Sequence, residues 1–350
     1  MSELRFVPFS PDLDAGRVVM IDGYAPGFRM ISHWPGHGTP APLRHDLTTG
    51  SAFLYCDLPE TERARLVGEF SQVTNNHYDT DGALSLFTML QPAISIRHRD
   101  LMLRAARSGD LAIWGGPDAL ALDLSISSDL EPFMPFSTPP YDAERLGNLS
   151  RAYARIFERM ESLLANPFSL QNLWGARYKQ VLADVARVQR GEGITVTKYP
   201  DDDLAVVETD RPITIVGSRL AAGDLFRILL VHPGEGGNRY RFCFRGESWW
   251  DVVSVRPQPR RHLADLAARL NALEGGAPLW WASPPDWTVP ELGFGAPVQF
   301  RHQAARFDPQ TARDPASRLS VDVVVNELRQ ALHVAKTFDP IASSVGPQLV

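Results

Sequence analysis

Residues 75–90, NNHYDTDGALSLFTML, pass from a polar loop into an apolar helix, and place one imidazole and two carboxylates within five positions. Working outward, short β-rich runs at 17–22, 29–33 and 51–57 are broken by Gly/Pro turns, and a helix over 60–70 precedes the quoted stretch. Strand and helix signals that alternate in this way argue for an open, mostly parallel α/β sheet. A helix over 93–107 follows, ends at Ser108-Gly109-Asp110 and leads into the apolar segment 111–114. The first unit is expected to close near residue 135.

Residues 131–141, EPFMPFSTPPY, hold four prolines and can continue neither a helix nor a central strand, so they read as a linker. Beyond them Leu146, Leu149, Tyr153, Ile156, Met160, Leu163 and Leu164 recur at helical spacing. Asn166-Pro167 interrupts, and a second helix over 170–189 completes an antiparallel pair. From residue 193 the period changes to β-like runs at 194–199, 204–208, 213–216, 225–231 and 240–244, with helices over 261–273 and 316–337. The expected organisation is a metal-site α/β domain (1–135), a helical connector (136–192) and an α/β or α+β domain that anchors substrate (193–350).

At 350 residues the chain is long enough for such a division and for a sizeable core. The net charge of −6 offers no basic field for a nucleic-acid backbone. Three lysines stand against thirty-two arginines, a skew expected of GC-rich coding. Cys56 and Cys243 lack paired metal-site spacing and read as inert thiols. No run approaches the roughly 18 apolar residues of a membrane span, and no basic-then-apolar leader opens the chain, so a cytoplasmic enzyme is expected, with a homodimer left open.

His77, Asp79 and Asp81 can converge on one cation if alternate positions of an extended loop point the same way, with Gly82 permitting a sharp turn into the helix. Carboxylate with imidazole suits Mn²⁺ first, then Zn²⁺, Fe²⁺ or Mg²⁺. The alternative is an Asp-Gly turn with Asp81 as a helix cap. A calcium loop of EF-hand type is excluded, because Ala83 stands at the next ligand position and no glutamate closes the loop. Upstream, His33-Trp34-Pro35-Gly36-His37-Gly38 and Arg44-His45-Asp46 gather further candidates after an expected strand end. His33 and Asp46 are the preferred additional ligands, and His37, Arg44 and His45 the expected substrate contacts. Asp110 is a further carboxylate ligand or a turn residue.

HYDTDGALS resembles the first motif of the DHH phosphoesterase superfamily, a histidine and two aspartates ahead of a small-residue helix. Tyr78 alone separates His77 from Asp79, where that family usually has one residue more. Residues 31–53, ISHWPGHGTPAPLRHDLTTGSAF, resemble the family's later region, with Ser32-His33-Trp34 at the Asp-His-His triplet and Asp46 at its distant aspartate. Only His33 matches within the triplet, and the motif order is reversed, which implies a permuted relative or a separate lineage with a similar site. The combined segment also resembles an uncharacterised bacterial family with HWPG and NHxDxDG elements. The resemblance covers about a third of the chain. It implies phosphoester hydrolysis and a C-terminal substrate domain, although that family's Gly-Gly-His element is missing here.

In the second unit YRFCFRGESWWDVVSVR crowds Arg241, Arg245, Glu247, Trp249, Trp250, Asp251 and Arg256 together. Arginine forks and indole walls suit an anionic small molecule, with Arg241, Arg245 and Trp249 as expected contacts. An edge strand with salt bridges and core tryptophans is the alternative. There is no GxSxG elbow, P-loop, HExxH or GxGxxG fingerprint. The expectation is a metal-dependent hydrolase with His33, Asp79 and Arg245 as catalytic residues. A catalytically silent binding protein on a DHH-like fold, a C–N bond hydrolase and metal-free His/Asp catalysis remain as alternatives.

Overall fold

A computed structural model describes residues 4–128, 143–277, 279–295 and 315–341. The first sheet is built from β1 (Arg5–Phe6), β2 (Val18–Ile21), β3 (Arg29–Ile31) and β4 (Gln72–Thr74) in the order β1-β4-β2-β3, with every pairing parallel. Parallel strands need crossovers that cover both faces, which makes the central strand apolar on both sides. All four residues of β2, VVMI, are accordingly buried. Helices α1 (Thr48–Asp57), α2 (Glu60–Val67), α3 (Thr80–Leu90), α4 (Pro92–Ser95), α5 (Arg99–Leu111) and α6 (Pro117–Ser128) complete this unit. The α/β fold class read from the sequence is the one observed.

Residues 51–57 fold as the body of α1, not as a strand. Ser51, Ala52 and Phe53 are buried and Leu54, Tyr55 and Cys56 half-buried, and so short an apolar run carries no periodicity that separates helix from strand. The helix expected over 93–107 is divided: α4 ends at Ser95, a 3-10 turn covers Ile96–His98, and α5 continues to Leu111.

The proline-rich segment 131–141 lies outside the described residues. Beyond it, α7 (Ala143–Ala165) and α8 (Gln171–Arg190) follow the predicted spacing, yet they pack in different places. Tyr153, Ile156, Met160 and Leu163 of α7 enter the core of the first sheet, whereas Trp174, Tyr178 and Val181 of α8 pack with Leu120 and Leu124 of α6.

The second sheet contains β5 (Ile194–Tyr199), β6 (Leu204–Thr209), β7 (Arg227–Gly234), β8 (Gly237–Phe244), β10 (Trp280–Ala282) and β11 (Glu291–Phe294), in the order β10-β11-β8-β7-β6-β5. Only the β6–β7 pair is parallel. The crossover between those two strands contains α9 (Ile215–Ala222), whose N-cap Thr214 accepts from Gly217 N. The β-like run at 213–216 is therefore the start of a helix, its β-branched residues buried by packing. Helix α10 (Ala264–Glu274) follows the short strand β9 (Arg260–Arg261), and α11 (Val321–Val334) precedes β12 (Thr337–Phe338), which pairs with β9. Among the described residues no helix is long and apolar enough to cross a membrane.

The two units are joined through their cores. Trp249 and Trp250, which follow β8, insert into the hydrophobic core of the first sheet. The carboxyl ends of its strands thus lie against a loop from the second unit.

Candidate metal centre

Three parallel strands deliver polar side chains from their carboxyl ends, where open α/β sheets place ligand sites. Asp22 follows β2 directly with φ of 53°, a left-handed conformation that aspartate tolerates better than most residues. His33 stands two residues beyond β3, and Asn75, His77 and Asp79 follow β4. The last loop is pinned twice: Asn75 Oδ1 accepts from His77 N (2.9 Å), and the Tyr153 hydroxyl from α7 donates to His77 O (2.7 Å).

Asp79 is the N-cap of α3, its Oδ1 accepting from Gly82 N at 2.7 Å. Asp81 caps a different helix. Its two oxygens accept from Thr48 N (2.6 Å) and Thr49 N (2.8 Å), the free amides at the start of α1. His77 and Asp79 thus meet across one loop, whereas Asp81, a helical turn further on, falls with His33 and Asp110, so the three do not converge on one cation as the extended-loop reading expected. Gly82 lies within α3, where a Cβ would sit 2.6 Å from Asn75 Nδ2; close packing, not a sharp turn, explains the glycine.

Two groups of ligand atoms result, each spanning no more than 4.8 Å: Asp22, His33, Asp81 and Asp110, and Asp22, His77 and Asp79. Either group could hold a divalent cation. Asp22 belongs to both. Its Oδ1 lies 3.5 Å from His33 Nε2 and accepts from the Thr48 hydroxyl, while its Oδ2 lies 3.5 Å from His77 Nε2.

The outer nitrogens of both imidazoles are anchored. His33 Nδ1 lies 2.6 Å from Asp46 O, a carbonyl, so Nδ1 carries the proton and donates. In the neutral ring Nε2 is then a lone pair, and it faces Asp110 (3.2 Å), Asp22 (3.5 Å) and Asp81 (3.8 Å). His77 repeats the pattern, with Nδ1 3.3 Å from Asn76 Oδ1 and Nε2 3.1 Å from Asp79. Metal-ligating histidines are oriented by this kind of outer hydrogen bond. Asp22 Oδ2, His33 Nε2 and Asp110 Oδ2 are buried without an aligned hydrogen bond, and buried polar atoms are rarely left so.

Without a cation the cluster holds protons. Burial opposes charge on His33, but Asp110, Asp22 and Asp81 outweigh it and push the imidazole up to about 10. His77 is likewise pushed up to about 10, Asp79 and Asp22 overcoming burial. Burial and the charge of Asp22 drive Asp81 up to about 7, and burial with Asp79 and Asp81 raises Asp110 well above the carboxylate range. Asp22 falls below that range, because His77 and His33 outweigh its burial.

Of the expected ligands, His33, His77, Asp79, Asp81 and Asp110 come together and Asp46 does not. The Asp46 carboxylate accepts from Val253 N and Ser254 N, both at 2.8 Å, and from the Ser254 hydroxyl. His37 pairs with Asp251 at 2.9 Å, and Arg44 lies 3.6 Å from the same carboxylate. His45 accepts from Leu47 N and packs where a Cβ on Gly50 would stand, so its ring is a local brace for α1.

The expected substrate-anchoring residues are consumed by structure. Arg245 is 6% exposed and binds Glu247 and Gly223 O. Arg241 pairs with Glu291 at 3.1 Å beneath Trp281. Trp249 is 1% exposed with the Arg260 guanidinium over its ring. Salt bridges and core tryptophans, the alternative reading, describe this region, and the Arg245 guanidinium, expected to be catalytic, is engaged by Glu247 and the Gly223 carbonyl.

Asp22 escaped the sequence reading, and Trp250 was read with the substrate-anchoring patch and not with His33. Asp22 ends a wholly apolar β-run and precedes a glycine, a carboxylate at a strand's carboxyl end; that was its available signal. Trp250 stacks on the His33 ring at 4.6 Å with planes 5° apart, a contact 217 positions apart in sequence that no local pattern encodes.

The fold and site define an α/β protein with a buried aspartate–histidine cluster at the carboxyl edge of a parallel sheet. The chain belongs to a family of unknown function, DUF6687, whose model matches residues 2–339. No curated protein and no solved structure matches it.

Proposed function

We propose that this protein is a metal-dependent hydrolase that uses a pair of divalent cations to act on a small phosphoester or another anionic metabolite. The observation that carries the proposal is the pair of imidazole Nε2 atoms, each anchored through its own Nδ1 and aimed at buried carboxylates. Each Nε2 meets its carboxylates through a proton or through a metal cation, and a site that gathers four carboxylates around two such nitrogens offers a divalent cation a ready exchange for those protons.

His33, Asp81 and Asp110 would hold one cation, His77 and Asp79 the other, with Asp22 shared. Mixed oxygen and imidazole ligands suit Mn²⁺ first, with Zn²⁺, Fe²⁺ or Mg²⁺ as alternatives. Such a pair would supply Lewis acidity and a water that is nucleophilic near neutral pH. The chain's own contribution is orientation: Asp46 O and Asn76 fix the imidazoles, and the α1 amides fix Asp81. Trp34 and Trp250 wall the histidines from water. The likeness of HYDTDGALS to the DHH phosphoesterase motif supports the phosphoester class, with Asp22 in place of Asp46 as the carboxylate beside His33.

Elemental analysis of the protein as purified, followed by Mn²⁺ titration after chelation, is the direct test. Two ions per chain are expected, together with chelator-sensitive turnover on a phosphoester panel. Asp22→Asn should weaken both ions by at least about 100-fold, beyond the usual cost of an outer-sphere change. A chain that takes up no divalent cation would sink the reading. Two ions without turnover on any ester would leave a binding protein.

A further inference from the structure

Asp46 was expected among the ligands, yet its carbonyl and its carboxylate are both taken by other partners. Its carbonyl accepts a hydrogen bond from His33 Nδ1 at 2.6 Å. Its carboxylate, below the ordinary range because the Ser254 hydroxyl and the Val253 and Ser254 amides outweigh its partial burial, holds the backbone at 253–254. Those residues lie 207 and 208 positions away, in the second unit.

The same short loop meets the His33 segment at three further points. Asp251 N donates to His33 O at 2.7 Å, and Trp250 lies flat on the His33 ring. The Asp251 carboxylate takes His37 Nε2, whose Nδ1 accepts from Thr39 N and so leaves the proton on Nε2. The ring of one candidate ligand is thus fixed on its edge by Asp46 O and on its face by a tryptophan that Asp46 helps to seat.

We propose that Asp46 is a positioning residue: it clasps the 250–254 loop of the C-terminal unit and thereby sets the orientation in which His33 Nε2 meets the metal pair. The proposal rests on the two-cation reading, and its test separates the two. Asp46→Ala removes the clasp and keeps the carbonyl. Asp46→Asn keeps an acceptor for both amides and gains a donor for the Ser254 hydroxyl, but offers a much poorer metal ligand.

In Mn²⁺ titrations of the full chain, Asp46→Ala should weaken one of the two ions by about 10–100-fold, the usual cost of losing an outer-sphere partner, while the other is retained. Asp46→Asn should bind both ions like the unsubstituted protein. Hydrogen exchange on metal-free protein gives an independent readout: the Val253 and Ser254 amides should exchange faster in Asp46→Ala and stay protected in Asp46→Asn. Equal loss of metal in both variants would make Asp46 a ligand and overturn the proposal. Unchanged binding and exchange in Asp46→Ala, or loss of both ions with protection lost throughout the chain, would overturn it as well. If the unsubstituted protein binds no metal, the two-cation reading fails, and faster exchange at 253–254 confined to Asp46→Ala would still establish the clasp.

Discussion

The His77 loop and the Arg241–Asp251 segment are equally rich in charged and aromatic residues, and the fold treats them in opposite ways. Around His77, four carboxylates and two imidazoles are buried together with like charges facing each other. Around Arg245, guanidinium groups are matched to carboxylates or carbonyls: Arg245 to Glu247 and Gly223 O, Arg241 to Glu291, Arg260 to Pro285 O and Thr288 O. In the first arrangement like charges are crowded together, and in the second each guanidinium is set against a carboxylate or carbonyl oxygen. Chemical capability belongs to groups gathered without being satisfied, because perturbed titration and open ligand positions arise there. Density of polar residues along the chain does not make the distinction.

The comparison breaks if the second region can lose a partner without cost. Glu291→Ala leaves the buried Arg241 without that carboxylate, and removal of one partner of a buried pair costs about 3–5 kcal/mol. Urea melts should show a loss of that size, with metal content per folded chain unchanged. Lost metal with unchanged stability would mean that Arg241 serves the site and that the contrast is false.

The first region should respond with the opposite sign. Asp110 is buried beside Asp79 and Asp81, and its raised proton affinity measures how unwelcome its charge is when no cation is present. Asp110→Asn should therefore stabilise the chelated protein, by about 1–2 kcal/mol, while weakening the ion held with His33; stability gained at the expense of function marks a strained site. Thermal melts with and without chelator read both effects. A destabilised metal-free variant would show that Asp110 is there for structure.

Much of this was written locally. The alternation of strand and helix in the first hundred residues and the spacing in α7 and α8 were legible, because periodicity reports which face is buried. The runs at 51–57 and 213–216 were misread as strands, because short apolar runs show no clear face preference whichever element they form. His77, Asp79 and Asp81 were legible as a cluster of ligand types beside a helix start. Asp46 was misassigned because a carboxylate near histidines looks the same whether it binds a cation or a backbone loop 207 residues away. The partners that decided each case, Glu291 for Arg241, Val253 and Ser254 for Asp46, and Trp250 for His33, come from distant segments.

The smallest expected effect is a graded one, and it sharpens the contrast through pH. In metal-free protein His33 and His77 are raised from 6.5 to about 10, so the stability they contribute is complete below about pH 6.5 and is lost as the pH climbs toward 10. Asp81, raised from 3.8 to about 7, acts in the same sense, its contribution lost between about pH 4 and 7. Asp22, lowered, contributes stability that disappears only as the pH falls below about 4, outside this window. The melting temperature of chelated protein should therefore decline from pH 6.5 to 9. With saturating Mn²⁺ the protons no longer hold the cluster together, and deprotonated ligands bind the cation more tightly, so the stabilisation conferred by the metal should grow over the same interval. Two melting curves that run parallel from pH 6.5 to 9 would show that protons and the cation do not compete for these side chains, and the two regions of the molecule would then be electrostatically alike.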